Sequence, residues 1–546
     1  MSNEAQTNAF SQFPPNQFLD NGILYSSTRQ WLEAQTTGGR RDGIFSKEVW
    51  ECTNFAEMFA LMAREQVKAA RKRYIKQAKG RHNIILNGDS YKASHFLQYP
   101  PGTTEVYSYI ESRGGLYDVA VYAGFQMFAK EYLTVRVTQE MIEEAAEVYE
   151  KHRVPFNRAG WQYIVDKLGG KLPISIHSAP EGSVITVKNV LLTIVNTDPN
   201  CFWLTSFLET ALLRAIWFPT TVASKSFAAK KVIKRFLDLT SDIPEVLLPS
   251  RLHDFGARGT SSEESAAIGG IAHMINFEGT DTLSAIRAAR KYYSAIMPGF
   301  SIPAAEHSTI TSWGKEAEVD AYRNMLRQFA RPGSYVAVVS DSYDLFNAVD
   351  NIWGTELRQH VIDSGATVII RPDSGNVYTI PVETVERLAE KFGYTINSKG
   401  YKVLNHVRVI QGDGIDDEKV IEKILQNLTD AGFATDNIAF GMGGGLLQKV
   451  NRDDMKFAMK CSAIKINGEW REVFKDPKTD PGKRSKRGKL ALVHEGGWET
   501  LPLDGNHWRN SLVETFRNGD LKREYTFDEV REPSVKYLAR NLPLAA

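Results

Sequence analysis

Four short segments of the 546-residue chain set acids, an arginine, glycines and one histidine where they could act together on a ligand. In RPDSG, Arg371 stands two residues before Asp373, and Pro372 fixes the turn between them. A guanidinium there can clamp a phosphate through paired N–H donors. A carboxylate two residues on can accept from sugar hydroxyls or bind Mg²⁺ through water. A purely structural Arg–Asp pair would leave the same residues. GDG sets Asp413 between Gly412 and Gly414, so a ligand can come close to the backbone. GMGGG, residues 441–445, follows an apolar run, and its free N–H groups could cradle a phosphate. It matches neither GxGxxG nor GxxxxGK[ST], and glycine-rich turns are often only turns. PAAEHSTITSWGK, residues 303–315, puts His307 beside Glu306, with the hydroxyls of Ser308 and Thr309 following. Such an imidazole can serve as general acid or base, or accept a phosphoryl group. A lone histidine at a strand end is more often structural than catalytic, but the rim position, Glu306 and the nearby hydroxyls favour chemistry for His307.

These segments need strands to carry them. Short apolar runs ending in polar or glycine-rich loops recur as RLHDFG (251–256), MINFEGTD (274–281), FSIPAAEH (300–307), YVAVVSDSYD (335–344), TVIIRPDSG (367–375), VRVIQGDG (407–414) and NIAFGMGGG (437–445). Helical patterns such as SSEESAAIGGIAHM, PVETVERLAEKFG and DDEKVIEKILQNLTDAG lie between them. Strand alternating with helix indicates parallel βα units. About seven of them predict a closed or nearly closed α/β barrel, with an open doubly wound sheet as the alternative. Ligands gather at the carboxyl ends of barrel strands. There the sequence places Asp254, Arg258, Asp281, Glu306, His307, Asp341, Asp344, Arg371, Asp373, Asp413 and the glycines 443–445. A phosphorylated sugar would suit that rim. Lys449, Arg452, Lys460, Lys475 and Lys483 add cations for a ligand with several phosphates, although PGKRSKRGK (481–489) also reads as a solvated loop.

The flanks differ. Residues 1–80 form an extension that begins polar and continues as a predicted helix, Ser46 to Lys79, with Ser46 as N-cap and Phe55, Phe59 and Leu61 on one face. Its end, Arg71-Lys72-Arg73, is a phosphate or nucleic-acid contact or, more simply, a solvated face. Residues 81–200, opening on a predicted strand Ile84 to Leu86, mix helix and strand, and so do residues 455–546. These two segments are read as one α+β domain around a barrel of residues 201–454. Hydrophobic residues make 42% and charged residues 24% of the chain, and net charge is +1, so nothing global calls for a nucleic-acid or membrane partner. Three scattered cysteines, Cys52, Cys201 and Cys461, show no metal-ligand spacing and suggest a reducing compartment. The polar N-terminus is unlike a secretory signal, and no run approaches the ~20 apolar residues of a spanning helix. The expectation is a cytoplasmic enzyme or a large binding protein.

Taken as a set, DSYKASHFLQYPPGTTEVYSYIESR (89–113), LHDFGARGTSSEESAAIG (252–269), GTDT (279–282), PAAEHSTITSWGK, SDSYD (340–344), IIRPDSGN (369–376), RVIQGDG (408–414), GGGLLQK (443–449) and FKDP…DPGKRSKRGK closely resemble the nicotinamide phosphoribosyltransferase family, in order from about Ile84 onward. The resemblance implies a type II phosphoribosyltransferase: an irregular, TIM-like α/β barrel with a second α+β domain, working as a homodimer with shared sites. It implies nicotinamide and phosphoribosyl pyrophosphate (PRPP) as substrates, with Mg²⁺ carried by PRPP or pyrophosphate. By motif, Phe255 and the Tyr91 of a second copy would sandwich the pyridine ring, with Asp89 close by, and flat aromatic faces suit that ring. Asp281 would accept from the carboxamide, and Arg258 would help hold ring and phosphate. Arg371, Asp373, Gly412, Asp413, Gly443 and Gly444 would line the ribose-phosphate site. Arg113, Arg452, Lys460, Lys475 and Lys483 would bind pyrophosphate or ATP phosphates. The family's counterpart of His307 is phosphorylated by ATP, which would give Glu306 and Asp341 the task of orienting the ring. Ala257 stands where animal members carry an aromatic residue, and Ala458 where they carry a serine. A nicotinate-specific relative, a non-catalytic scaffold and a generic barrel phosphatase or aldolase are the rivals. Asp281 speaks against the first, because two carboxylates would then share a pocket.

Overall fold

In the computed structural model, the described residues are 82–479 and 484–541, with Phe18–Asp20, Ile23–Tyr25 and Glu51, Thr53, Met58, Leu61 and Met62 among the first 81. Most of the helix expected over 46–79, including its basic end, lies outside them. Residues from His82 onward form one compact unit and Met1–Arg81 another.

Six of the seven strand-like segments make one parallel sheet: β1 (Leu252–Asp254), β2 (Gly279–Thr280), β3 (Tyr335–Val339), β4 (Thr367–Arg371), β5 (Val407–Gln411) and β6 (Ile438–Met442). Their spatial order is β3-β4-β5-β6-β1-β2. Val336, Val338, Val368, Ile370, Val407, Val409, Phe440 and Met442 are buried, as strands covered on both faces require. The seventh segment closes the gap between the two edges. Phe300 bridges Gly279 on β2, and Ala304 bridges Ala337 on β3, both in parallel. The Phe300 N–H donates to the Glu278 carbonyl at 2.7 Å, and the Ala337 N–H to that of Pro303 at 2.9 Å. Pro303 has no N–H to extend a ladder. The segment therefore stays irregular, and the sheet closes as a barrel.

The connecting helices form where apolar residues recur at helical spacing. Glu418–Asp430 buries Ile421, Ile424, Leu425 and Leu428, and its N-cap Asp417 accepts from the N–H groups of Lys419 and Val420 at 3.0 and 3.1 Å. A second, antiparallel sheet has seven strands in the order Glu469–Glu472, Phe457–Ile466, Thr103–Ser112, Val190–Asn196, Ile174–Ser178, Val513–Arg517, Asp520–Leu521. It thus joins early and late segments of the chain. The terminal helix Phe527–Asn541 leaves that sheet and buries Phe527, Val530 and Leu538 in the barrel core. The long helix Glu209–Thr240 serves both cores, with Leu212 and Ile216 in the sheet's and Phe227, Ile233 and Leu237 in the barrel's. Among the described residues, no single helix is long and apolar enough to cross a membrane.

One expected strand is absent. Ile84–Leu86 is a 3₁₀ turn, because the Asn83 side chain accepts from the Ile85 N–H at 3.0 Å and closes the backbone locally. Ile84 and Ile85 are still buried, in the core of the antiparallel sheet.

Candidate active site

His307 leaves the irregular closing segment at the first position of the short helix His307–Thr311, with its side chain 47% exposed. Its Nδ1 lies 3.1 Å from the Ser342 hydroxyl. Its Nε2 lies 3.4 Å from Asp373 Oδ2 and 3.8 Å from Asp341 Oδ1. Two carboxylates near Nε2 favour the proton there, which leaves Nδ1 to accept from Ser342. The Asp341 side chain is only 4% exposed, and its Oδ2 accepts from the Asp373 N–H at 2.9 Å and the Ser374 hydroxyl at 2.5 Å. Its Oδ1 has no hydrogen-bond partner. Asp373 Oδ1 accepts from Arg371 at 2.6 and 3.2 Å. The carboxylate of Glu306 turns instead to the Ser308 hydroxyl. Of the two acids expected to orient the imidazole, Asp341 is therefore at hand, and Glu306 is occupied at the helix start.

Beside this cluster lies a flat aromatic shelf. The Phe255 ring crosses the end of β6 so closely that a Cβ on Gly441 would stand 2.1 Å from its Cε2, and one on Gly412 would stand 3.5 Å away. The Arg371 guanidinium lies 5.7 Å from the ring centroid. Asp281 is exposed and accepts from the Ser301 hydroxyl, and its own N–H donates to the Asp254 carbonyl at 3.0 Å. Asp254 is fully buried behind it, and burial pushes its carboxyl up to about 6. Burial also pushes the His253 imidazole down, and its Nε2 lies 3.0 Å from the Ser250 carbonyl. Arg258 is exposed on the turn Ala257–Gly259, and Asp413 is exposed beside Gly412. After β6, the chain passes through Gly443 into the one-turn helix Gly444–Leu447. Barrel topology thus unites Phe255, Asp281, His307, Asp341, Arg371, Asp373 and Gly412 on one rim. Lys449 is tied to Asp416 at 2.7 and 2.8 Å.

Of the remaining expected residues, Asp89, Tyr91, Arg113, Lys460 and Lys475 lie as a second set on or beside the antiparallel sheet and the 3₁₀ segment Ser90–Leu97 before it. Asp89 caps Ser90–Leu97 and accepts from the Thr210 hydroxyl at 2.6 Å. Tyr91 is 59% exposed, edge-on to His95. Arg113 donates to Glu111 at 3.1 Å and leaves its buried Nη2 without a partner. Burial lowers the Lys460 pKa; Glu209 counters, while Arg113, Lys92 and Lys475 lower it further. Those cations therefore share one region. Arg452 is exposed and bonds its neighbour Asp453. Lys483 lies outside the described residues. Among the described residues, no hydrogen bond or ion pair joins this set to the rim. No described cluster of three or more His, Cys, Asp or Glu residues could hold a metal ion. Ser342 and Ser301 were missed in the sequence because each is a hydroxyl distant in the chain from the group it orients.

Known proteins resemble this chain over most of its length. A profile of the Nicotinate phosphoribosyltransferase (NAPRTase) family matches residues 250–520, and one of the Nicotinamide phosphoribosyltransferase N-terminal domain matches residues 83–176. The chain is 56% identical over 461 residues to a nicotinamide phosphoribosyltransferase of Xanthomonas campestris pv. campestris, covering 82% of this chain and 97% of that one. It is 32% identical over 486 residues to that of Acinetobacter baylyi, covering 81% and 95%. Among solved structures, the nicotinate-nucleotide pyrophosphorylase of Pyrococcus furiosus shares the fold, with a TM-score of 0.54 at 15% identity, covering 85% of this chain and 97% of that one.

Proposed function

Since this chain belongs to the nicotinamide phosphoribosyltransferase family, we propose that it condenses nicotinamide with PRPP to give nicotinamide mononucleotide and pyrophosphate for NAD synthesis. The observation that carries the substrate is the Phe255 shelf with Asp281 at its side. A planar pyridine stacks on the ring, and Asp281, steadied by Ser301, accepts from a carboxamide NH₂. A nicotinate carboxylate would meet a like charge there. The pyridine nitrogen attacks the anomeric carbon as its bond to the pyrophosphate oxygen breaks. The leaving oxygen keeps the electron pair, through an oxocarbenium-like state. Such a reaction needs positioning and charge stabilisation more than a strong base. Asp373 and Asp413 would meet the ribose hydroxyls, and Arg371 and the loop Gly443–Gly445 the ribose phosphate. Mg²⁺ carried by PRPP would screen the charge of the leaving pyrophosphate.

The second set supports a homodimer with shared sites. Tyr91 is free to cover the ring stacked on the Phe255 of another copy. Arg113, Lys460 and Lys475 repel one another until pyrophosphate or ATP phosphates neutralise them. Cys201 and Cys461 are free thiols, which suits the cytoplasm.

His307 would couple ATP hydrolysis to turnover. Its Nδ1 lone pair attacks the γ-phosphorus, the N–P bond forms and ADP leaves with the electrons of the broken P–O bond; water later attacks that phosphorus, the N–P bond breaks with its electrons returning to Nδ1, and phosphate leaves. The carboxylates of Asp373 and Asp341, 3.4 and 3.8 Å from Nε2, would offset the positive charge that develops on the ring as the N–P bond forms. The test is product formation from PRPP with nicotinamide or nicotinate, with and without ATP, in the wild type, Asp281→Ser and His307→Ala. We expect a nicotinamide preference that collapses in Asp281→Ser, and ATP stimulation that vanishes in His307→Ala. A preference for nicotinate would overturn the substrate. Stimulation surviving in His307→Ala would overturn the phosphohistidine, and no turnover of either base would favour a scaffold.

A further inference from the structure

Lys225 has no part in the chemistry above, yet it sits directly under the glycine loop. It lies on the helix Glu209–Thr240, only 6% exposed. Its Nζ donates to the Gly445 carbonyl at 2.6 Å. That carbonyl belongs to the Gly445–Leu446 peptide, whose N–H donates to the Gly443 carbonyl at 3.0 Å. Both ends of the peptide are thus pinned. Gly445 is wedged on its other side, since a Cβ there would meet the Ile415 carbonyl oxygen at 2.9 Å and Asp416 Cα at 3.0 Å. Gly444 is the open side, where a Cβ would meet nothing within 4 Å. The N–H groups of Gly443, Gly444 and Gly445 meet no acceptor among the described residues.

A buried ammonium is costly unless paired, and a charge-assisted bond to a carbonyl is among the stronger hydrogen bonds. Burial lowers the Lys225 pKa, and the carboxylates of Asp417, Glu418, Asp416 and Asp454 raise it. Without Lys225, those four acids would lie near the loop with one counter-charge fewer, repelling any phosphate that approached.

We propose that Lys225 is a positioning residue for the ribose 5-phosphate: it fixes the Gly443–Gly445 loop so that its free N–H groups converge on that phosphate, and it offsets the acids around the loop. This rests on the loop's role in the reading above.

The test compares wild type, Lys225→Met and Lys225→Arg. Lys225→Met keeps length and packing but removes charge and donor, whereas Lys225→Arg keeps both. Calorimetry with ribose 5-phosphate should show affinity about tenfold weaker in Lys225→Met and largely restored in Lys225→Arg. KM should rise similarly for PRPP and, in the reverse reaction, for nicotinamide mononucleotide, which both carry the 5-phosphate. KM for nicotinamide and for pyrophosphate should stay within twofold. Equal ribose 5-phosphate affinity in wild type and Lys225→Met, with thermal midpoints alike, would overturn the proposal. So would an equal rise of all four KM values together with a lower midpoint, which marks a structural role only. A wild type that binds ribose 5-phosphate but turns over neither base would refute the proposed reaction instead, and the binding comparison would still decide the role of Lys225.

Discussion

Gly441→Ala is a sharp probe of the shelf, because the added methyl falls where a ring already lies. A Cβ at this position would stand 2.1 Å from Phe255 Cε2, 2.2 Å from Cδ2 and 3.0 Å from Cζ. Ordinary contact begins near 3.4 Å, so the ring edge must lift by about 1.3 Å. Lifting away from the strand end would carry it toward the slot where a pyridine would stack. Misplacing a reacting group by ~1 Å costs on the order of 10²-fold in rate. The overpacked core costs a further ~1–3 kcal/mol of stability. We therefore expect kcat/KM for nicotinamide to fall about 30- to 100-fold, which is ~2–3 kcal/mol. KM for PRPP should change by less than threefold. Steady-state formation of nicotinamide mononucleotide measures both, with a thermal melt confirming that the variant is folded at the assay temperature. A folded Gly441→Ala whose kcat/KM for nicotinamide stays within twofold of wild type would refute the shelf as the ring's binding surface.

Two further outcomes follow from the same geometry. The Asp254 carboxyl rises from 3.8 to about 6 on burial, so between about pH 4 and 6 the unfolded chain releases a proton that the folded chain keeps. Stability should fall by up to ~3 kcal/mol as pH rises through that window and stay lowered above it. Asp254→Asn keeps an acceptor for the Gly256 N–H, which bonds Oδ1 at 2.8 Å. It should melt with the wild type at pH 4 and higher than it at pH 7.5; an equal gap at both would count against a raised carboxyl. Ser342→Ala removes the hydroxyl on His307 Nδ1. Without that hydroxyl to orient the ring, ATP-stimulated turnover should fall about fivefold, ~1 kcal/mol, while ATP-independent turnover stays within twofold. Equal losses in both assays would deny Ser342 its hold on the ring.

The barrel was legible because its strands are buried on both faces and so read as continuous apolar runs, each ending in a polar or glycine-rich loop. Even FSIPAAEH could be placed, although Pro303 keeps it from forming a ladder. Ile84 to Leu86 shows the limit, since an apolar triplet reads the same as strand or as turn. Its conformation is decided by the Asn83 side chain closing on the Ile85 N–H. The rim residues were legible by position, but their pairings were not. Glu306 adjoins His307 in sequence, yet its carboxylate goes to Ser308, while Ser342 reaches the imidazole from the end of the neighbouring strand. Adjacent residues at a helix start point in different directions, whereas strand ends in register converge.

The glycines taught the same lesson in a different way. GMGGG read as one phosphate loop, but its members divide the work. Gly441 makes room for the Phe255 ring, Gly444 faces open space, and Gly445 is wedged against Ile415 and Asp416. Only a contact map separates these roles, because glycine carries no side chain to show which neighbour required its absence. Lys225 is hidden for the opposite reason. In sequence it is one cation in a long helix, and it gains meaning only when β6 delivers the Gly445 carbonyl to its ammonium. The second set depends on a similar convergence. Strand pairing sets Lys460 opposite Tyr109 and Ala458 opposite Glu111, two residues from Arg113. The fold brings Arg113, Lys92 and Lys475 close enough to Lys460 to add to the effect of burial in lowering its pKa, and an anion there would meet a field that no single residue supplies.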